Sequence, residues 1–218
     1  MTAMSPPPVT AASTRSLVLV NVATLVLALA FDWPLSTLMW PYLLQSLIIG
    51  YYSRRRMLAL TEFSTEGVKF NNQPVAPTPE TRSRMANFFA LHFGLFHFVY
   101  GMFLWQKAGE MAWWDWAGCA VAAGSFAFNH RLSYEQNVAA DRRGRPNIGK
   151  LMALPYARIL PMHLTILLGW TWDGPFAVLL FGSIKTVADV VMHKVEHRAL
   201  QRGAAEPVSR VPERRPGL

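Results

Sequence analysis

Lys185, Asp189, His193 and His197 recur every four residues near the end of the chain. On a helix this spacing stacks them along one face. His193 and His197, at i and i+4, have the spacing with which one helix chelates a metal ion through two imidazoles. Glu196 would add a further ligand or a general base, and Asp189, one turn before His193, would accept the hydrogen bond that orients a ligand imidazole. This is not the metalloprotease pattern, in which glutamate directly follows the first histidine. The simpler alternative is an ion pair between Lys185 and Asp189, with the two histidines at a membrane surface.

Further histidines lie in other apolar runs. His92 and His97 share one run, His163 sits in another, and His130 ends a third. His92 and His97 are five residues apart, ~140° around a helix, so they cannot both point squarely at one centre. Pro161, two residues before His163, removes a backbone hydrogen bond and predicts a kink that turns His163 inward. Arg158 and Lys185 are candidate anchors for a substrate carboxylate or phosphate; the plainer role for Arg158 is contact with a lipid phosphate.

These residues define the expected chemistry. A subset of His92, His97, His163, His193 and His197 would hold zinc or iron, acidify a bound water or, with iron, activate oxygen. Asp189 and Glu196 would handle protons, and the substrate would be amphiphilic or a small molecule. Two alternatives stand beside this metalloenzyme. One is haem held between two histidines for electron transfer. The other is transport of a proton, metal ion or small solute along Lys185, Asp189 and the histidines; the chain has no internal repeat of the kind many transporters carry.

The elements that must position these residues are apolar. Of the 218 residues, 52% are hydrophobic and only 16% charged, against about 25% charged in soluble domains. Six apolar runs follow one another: 17–31, 35–52, 88–105, 116–128, 151–172 and 176–193. Asp32-Trp33-Pro34 and Asp173-Gly174-Pro175 mark tight turns, and Pro77-Thr78-Pro79 reads as a breaker. Several runs approach the ~20 residues that cross a bilayer as helix. Open strands would leave backbone groups unpaired in lipid. The expected fold is therefore all-α: a polytopic bundle of six transmembrane helices over residues 15–198, a disordered tail over 1–14 and a flexible basic tail over 199–218.

Charge sets the orientation. Six crossings place Arg15, the segments 54–84 and 131–150 and the C-terminal tail on one side; Asp32, Glu110, Asp115 and Asp173 fall on the other, with Lys107 as its one basic residue. The positive-inside rule makes the first side cytoplasmic, with both termini there. Trp33, Trp113, Trp114, Trp116, Trp170 and Trp172 gather near the opposite interface as an aromatic belt. The net charge of +8 and pI near 10.1 thus follow from topology, and no nucleic-acid partner is expected. Cys119 alone can close no internal disulfide and build no Cys-rich metal site. Arg15, the first run and Ala28-Leu29-Ala30 also fit a cleaved signal peptide, which would leave five spans.

The segments His92-Phe93-Gly94-Leu95-Phe96-His97, Asn129-His130, Pro161-Met162-His163 and Lys185 through His197 resemble an uncharacterised bacterial family of six-span inner-membrane proteins, a domain of unknown function. The resemblance covers most of the chain from the second run onward; it implies the topology and no activity. The last-helix His-x-x-x-His is also similar to that of zinc-dependent membrane hydrolases of the ceramidase and adiponectin-receptor group, which have seven spans and further Asp and Ser motifs.

Overall fold

The computed structural model describes residues 11–106, 109, 111–169 and 174–205, with the side chains of 11–17, 158, 168–169 and 192–205 outside that description. The described chain is mostly helical: α1 Ala11–Ala30, α2 Leu35–Leu58, α3 Pro79–Gln106, α4 Trp113–Asp141, α5 Ile148–Ala153, α6 Tyr156–Gly169 and α7 Pro175–Ala205. A small hairpin, β1 Lys69–Phe70 and β2 Gln73–Pro74, sits between α2 and α3. The all-α expectation holds, and most of the described part of each apolar run lies on helix. Trp170, Trp172, Lys107, Glu110 and Asp173 lie outside the described residues, as do both ends of the chain.

Three boundaries differ from the sequence-based expectation, each for a local reason. First, α3 starts at Pro79 rather than near Phe88. Pro77-Thr78-Pro79 is a start signal: the Thr78 hydroxyl accepts from the Thr81 N–H at 3.2 Å, and Pro79 occupies the first helical position, where its missing N–H costs nothing. Second, α4 runs to Asp141, well beyond Phe128. Arg131 and Glu135 pair at i, i+4, and Asp141 is gripped through both carboxylate oxygens by Arg56, at 2.5 and 2.8 Å. Third, the fifth run is broken at Leu154-Pro155 into α5 and α6, whereas Pro161 lies inside α6. Pro155 cannot donate to the turn before it. Asn147 caps α5, accepting from the Lys150 N–H at 3.0 Å.

Packing follows two groups. α2 lies along α3 and α4, and α7 lies along α1 and α6; α3 and α2 also touch α6. The core is made of Met39, Leu43, Met57, Phe89, Phe93 and Phe181 with their neighbours. The two basic segments dock on one another. Ser64 N–H donates to Pro146 O and Ile148 N–H donates to Ser64 O, each at 3.0 Å, and the Asn147 amide donates to Glu66 O at 2.9 Å. Ile148 is fully buried beside Met57, Leu60 and Phe63. The Arg82 guanidinium donates to Leu60 O and ties the start of α3 into the same unit. The hairpin turns through Asn71 and Asn72 at φ 49° and 61°, the doubly left-handed turn that asparagine tolerates.

α3 is apolar on all sides. Met85, Phe89, Phe93, His97, Tyr100 and Leu104 face inward, while Phe88, Leu91, Leu95, Phe98, Met102 and Trp105 are exposed. α3 is the one helix among the described residues that is long and apolar enough to cross a membrane, and Val18–Ala30 forms a shorter apolar stretch.

Of the described glycines, Gly50 is the one whose added Cβ would meet a neighbour most closely. A Cβ there would come within 2.5 Å of the Phe93 ring, which is stacked on His97 at 4.2 Å and packed on Phe89. Gly50→Ala is expected to cost about 1–3 kcal/mol by overpacking, measured as a lowered unfolding midpoint in detergent. Gly94→Ala, where the added carbon meets nothing, should be neutral or stabilising. Equal effects at both sites would contradict the packing.

Candidate functional site

Polar side chains join the apolar helices in two places. The first is a closed triangle between α1 and α7. The Lys185 ammonium donates to Asp189 Oδ2 at 2.7 Å and to Asn21 Oδ1 at 2.8 Å. The Asn21 amide nitrogen donates to the same Asp189 oxygen at 3.2 Å. Lys185 also stands 5.7 Å from the centroid of the Tyr42 ring on α2. Lys185 and Asp189 side chains are 25% and 12% exposed, so the pair is largely withdrawn from the surface. The i, i+4 spacing on one helix brings them together; Asn21, 168 residues away, completes both partners. Sequence reasoning missed Asn21 because one amide in an apolar run reads as tolerated polarity.

The second place is the contact of α3 with α2 and α6. His97 is buried and uses both ring nitrogens: Nδ1 bonds the Phe93 carbonyl at 2.8 Å, and Nε2 bonds the Ser46 hydroxyl at 2.7 Å. The carbonyl can only accept, so Nδ1 carries the proton and Nε2 accepts from Ser46. Tyr100, one turn on, meets His163 Nδ1 at 3.0 Å. His92 meets the Tyr156 hydroxyl at 2.9 Å and stacks on Phe88. Each imidazole thus has a hydroxyl partner from a neighbouring helix. Ser46, Tyr100 and Tyr156 went unnoticed in the sequence because hydroxyls are common in helices and carry no spacing of their own.

The expected metal site draws on a subset of His92, His97, His163, His193 and His197, and the structure does not bring the first three of these together. His92 is exposed and His97 buried, as their ~140° separation on one helix requires. His92 is bound to Tyr156, seven residues and ~10 Å along α6 from His163, whereas metal–nitrogen bonds are ~2 Å. Among the described residues, no three His, Cys, Asp or Glu side chains come close enough together to hold a metal ion. The side chains of His193, Glu196, His197 and Arg158 lie outside the described residues. Of the predicted site residues, the structure therefore brings together Lys185 and Asp189, and it joins His92, His97 and His163 to hydroxyls instead of to one another.

Comparison with known proteins places the chain. A family model described as a family of unknown function, DUF6498, matches residues 3–206. The chain belongs to that family. The match spans both polar clusters and every helix from α1 to α7, so the whole arrangement lies within DUF6498. No curated protein and no solved structure matches the chain.

The hydroxyl–imidazole contacts yield a direct test. Ser46→Ala would leave the buried His97 Nε2 without its donor, at a cost of about 1 kcal/mol. A double-mutant cycle of Ser46→Ala with His97→Phe should return a coupling of similar size in detergent unfolding. Additive effects would show that the two side chains do not hold α2 to α3.

Proposed function

We propose that the protein is a six-span protein of a bacterial cytoplasmic membrane, with both termini on the side of the basic segments, and that it moves protons or a proton-coupled solute. The membrane placement is supported by what the helices expose. Only 28% of the apolar window of α3 is buried, and large apolar side chains are also exposed on α1, α4, α6 and α7. Soluble monomers rarely expose apolar patches beyond a few hundred Å². Trp113 and Trp114 are exposed at the end opposite the basic segments, where an interfacial aromatic belt belongs.

The Asn21–Lys185–Asp189 triangle carries the transport reading. Ionisable groups within apolar helices are costly and mark ion or proton pathways by default. Asp189 Oδ2 is the acceptor for both Lys185 and Asn21. A proton on that carboxylate adds a donor, removes its negative charge, and weakens its hold on both Lys185 and the Asn21 amide. Protonation of Asp189 would therefore weaken one of the two α1–α7 links and leave the Lys185–Asn21 bond as the other, an equilibrium biased by a proton. Tyr42 and Ser46 are one turn apart on α2, so the triangle leads toward the Ser46–His97 and Tyr100–His163 pairs as the next proton-carrying groups.

The test uses the full chain in proteoliposomes with an internal pH dye. A proton or potential gradient should drive proton entry above the leak of protein-free vesicles, and Asp189→Asn should return it to that leak. Asp189→Glu, which keeps a titratable carboxylate, should retain part of it. Wild-type flux equal to Asp189→Asn flux in well-inserted protein would overturn the reading. The same preparation addresses the remaining alternatives through elemental analysis and an absorption spectrum. Stoichiometric zinc or iron lost in His193→Ala/His197→Ala would make a metal site the working model instead, and a Soret band would redirect it to haem.

A further inference from the structure

At the foot of α3, two guanidinium groups are held in place by neutral partners. Arg54 on α2 donates to the Asn87 side-chain oxygen at 3.0 Å. Arg84 lies three residues before Asn87 on the same helix face, with its guanidinium 5.1 Å from the centroid of the Phe70 ring on the hairpin. Lys69, beside Phe70, is exposed. Among the described residues neither Arg54 nor Arg84 has a carboxylate partner, whereas Arg56 is paired with Asp141 and Arg131 with Glu135. An amide and an aromatic ring position a guanidinium without neutralising it. Both arginines keep their charge and most of their donors, in the planar fork that fits a phosphate.

The apolar stripe of α3 begins one turn further on. Phe88, Leu91, Leu95, Phe98, Met102 and Trp105 are all exposed, at helical spacings of three and four. They cover ~26 Å along the axis, more than the ~15 Å half-thickness of a hydrocarbon core. Positive charge at one end and a continuous apolar track beyond it match an anionic phospholipid in both parts. A free phosphate would engage the arginines and leave the stripe uncovered.

We infer that the foot of α3 binds one anionic phospholipid of the leaflet on the basic side: Arg54 and Arg84 take its phosphate, Lys69 adds charge, and an acyl chain lies on the stripe from Phe88 onward. This rests on the membrane placement proposed above and is independent of transport.

The full chain, purified in detergent, is titrated with phosphatidylglycerol or phosphatidylcholine, and bound lipid is counted by native mass spectrometry. Wild type should retain one phosphatidylglycerol in preference to phosphatidylcholine. Arg54→Gln/Arg84→Gln should weaken that binding by about thirtyfold, as loss of two interfacial charges implies. Arg142→Gln/Arg143→Gln, removing two exposed charges after α4, should leave it near wild type. Leu91→Gln/Leu95→Gln, which alters the stripe without touching charge, should also weaken it. Excess inorganic phosphate should leave the lipid in place. Equal losses from both arginine pairs, equal retention of the two lipids, or displacement by inorganic phosphate would overturn the inference. Wild-type protein that remains soluble without detergent and enters no bilayer would overturn the membrane placement itself, a separable result.

Discussion

A helix that is apolar on every side carries no instruction about which side to bury. α3 states the problem plainly, since Phe89 and Phe93 are inside while Leu91 and Leu95 are outside, and nothing in their hydrophobicity separates them. The choice is made by groups whose hydrogen bonds have only one place to go. His97 must find donors and acceptors once buried, and it finds them in Phe93 O and Ser46. Tyr100 and His163, His92 and Tyr156, and the Asn21–Lys185–Asp189 triangle do the same for α6, α1 and α7. Each contact is worth only about 1 kcal/mol, but together they set the rotation of five helices. Gly50 then lets α2 and α3 approach closely enough for the ring of Phe93 to fill the seam.

The segments between helices are structured for a related reason. The parts of the chain richest in arginine are also those where α2, α3 and α5 converge, and backbone groups there must be satisfied if they are covered. The Ser64–Asn147 and Ser64–Pro146 contacts satisfy them, Ile148 seals the space beneath, and the Arg56–Asp141 clamp closes the side. Two stretches more than 80 residues apart thereby become one unit, on which the hairpin is mounted.

Much of this was legible from residues alone. Each of the six apolar runs lies largely on helix where it is described, and Asp32-Trp33-Pro34 turns the chain between α1 and α2. The opposed directions of His92 and His97 follow from their five-residue spacing, and the Lys185–Asp189 pair from i, i+4. The illegible part has a common cause. Residue spacing reports neighbours on one helix and is silent about neighbours on another. Ser46, Asn21, Tyr100 and Tyr156 matter only through partners 51 to 168 positions away. Residue position gives each histidine a depth in its helix, but depth without rotation does not say which of them meet. The start of α3 was misplaced because Thr78 and Pro79 were weighed as breakers, when the same two residues in that order cap and open a helix. The fifth run was assigned one kink at Pro161, and the chain breaks instead at Pro155.

The pairing of α1 with α7 has a consequence in time. The groups that match Asn21 lie more than 160 residues later. At ~5–20 residues per second of synthesis, the first helix emerges roughly ten to thirty seconds before its partner exists. Through that interval Asn21 has no native acceptor and α1 no neighbour to bury its inward face. The α1–α7 seam therefore closes late, and a factor able to shelter a lone first helix would act on the nascent protein before α7 is made.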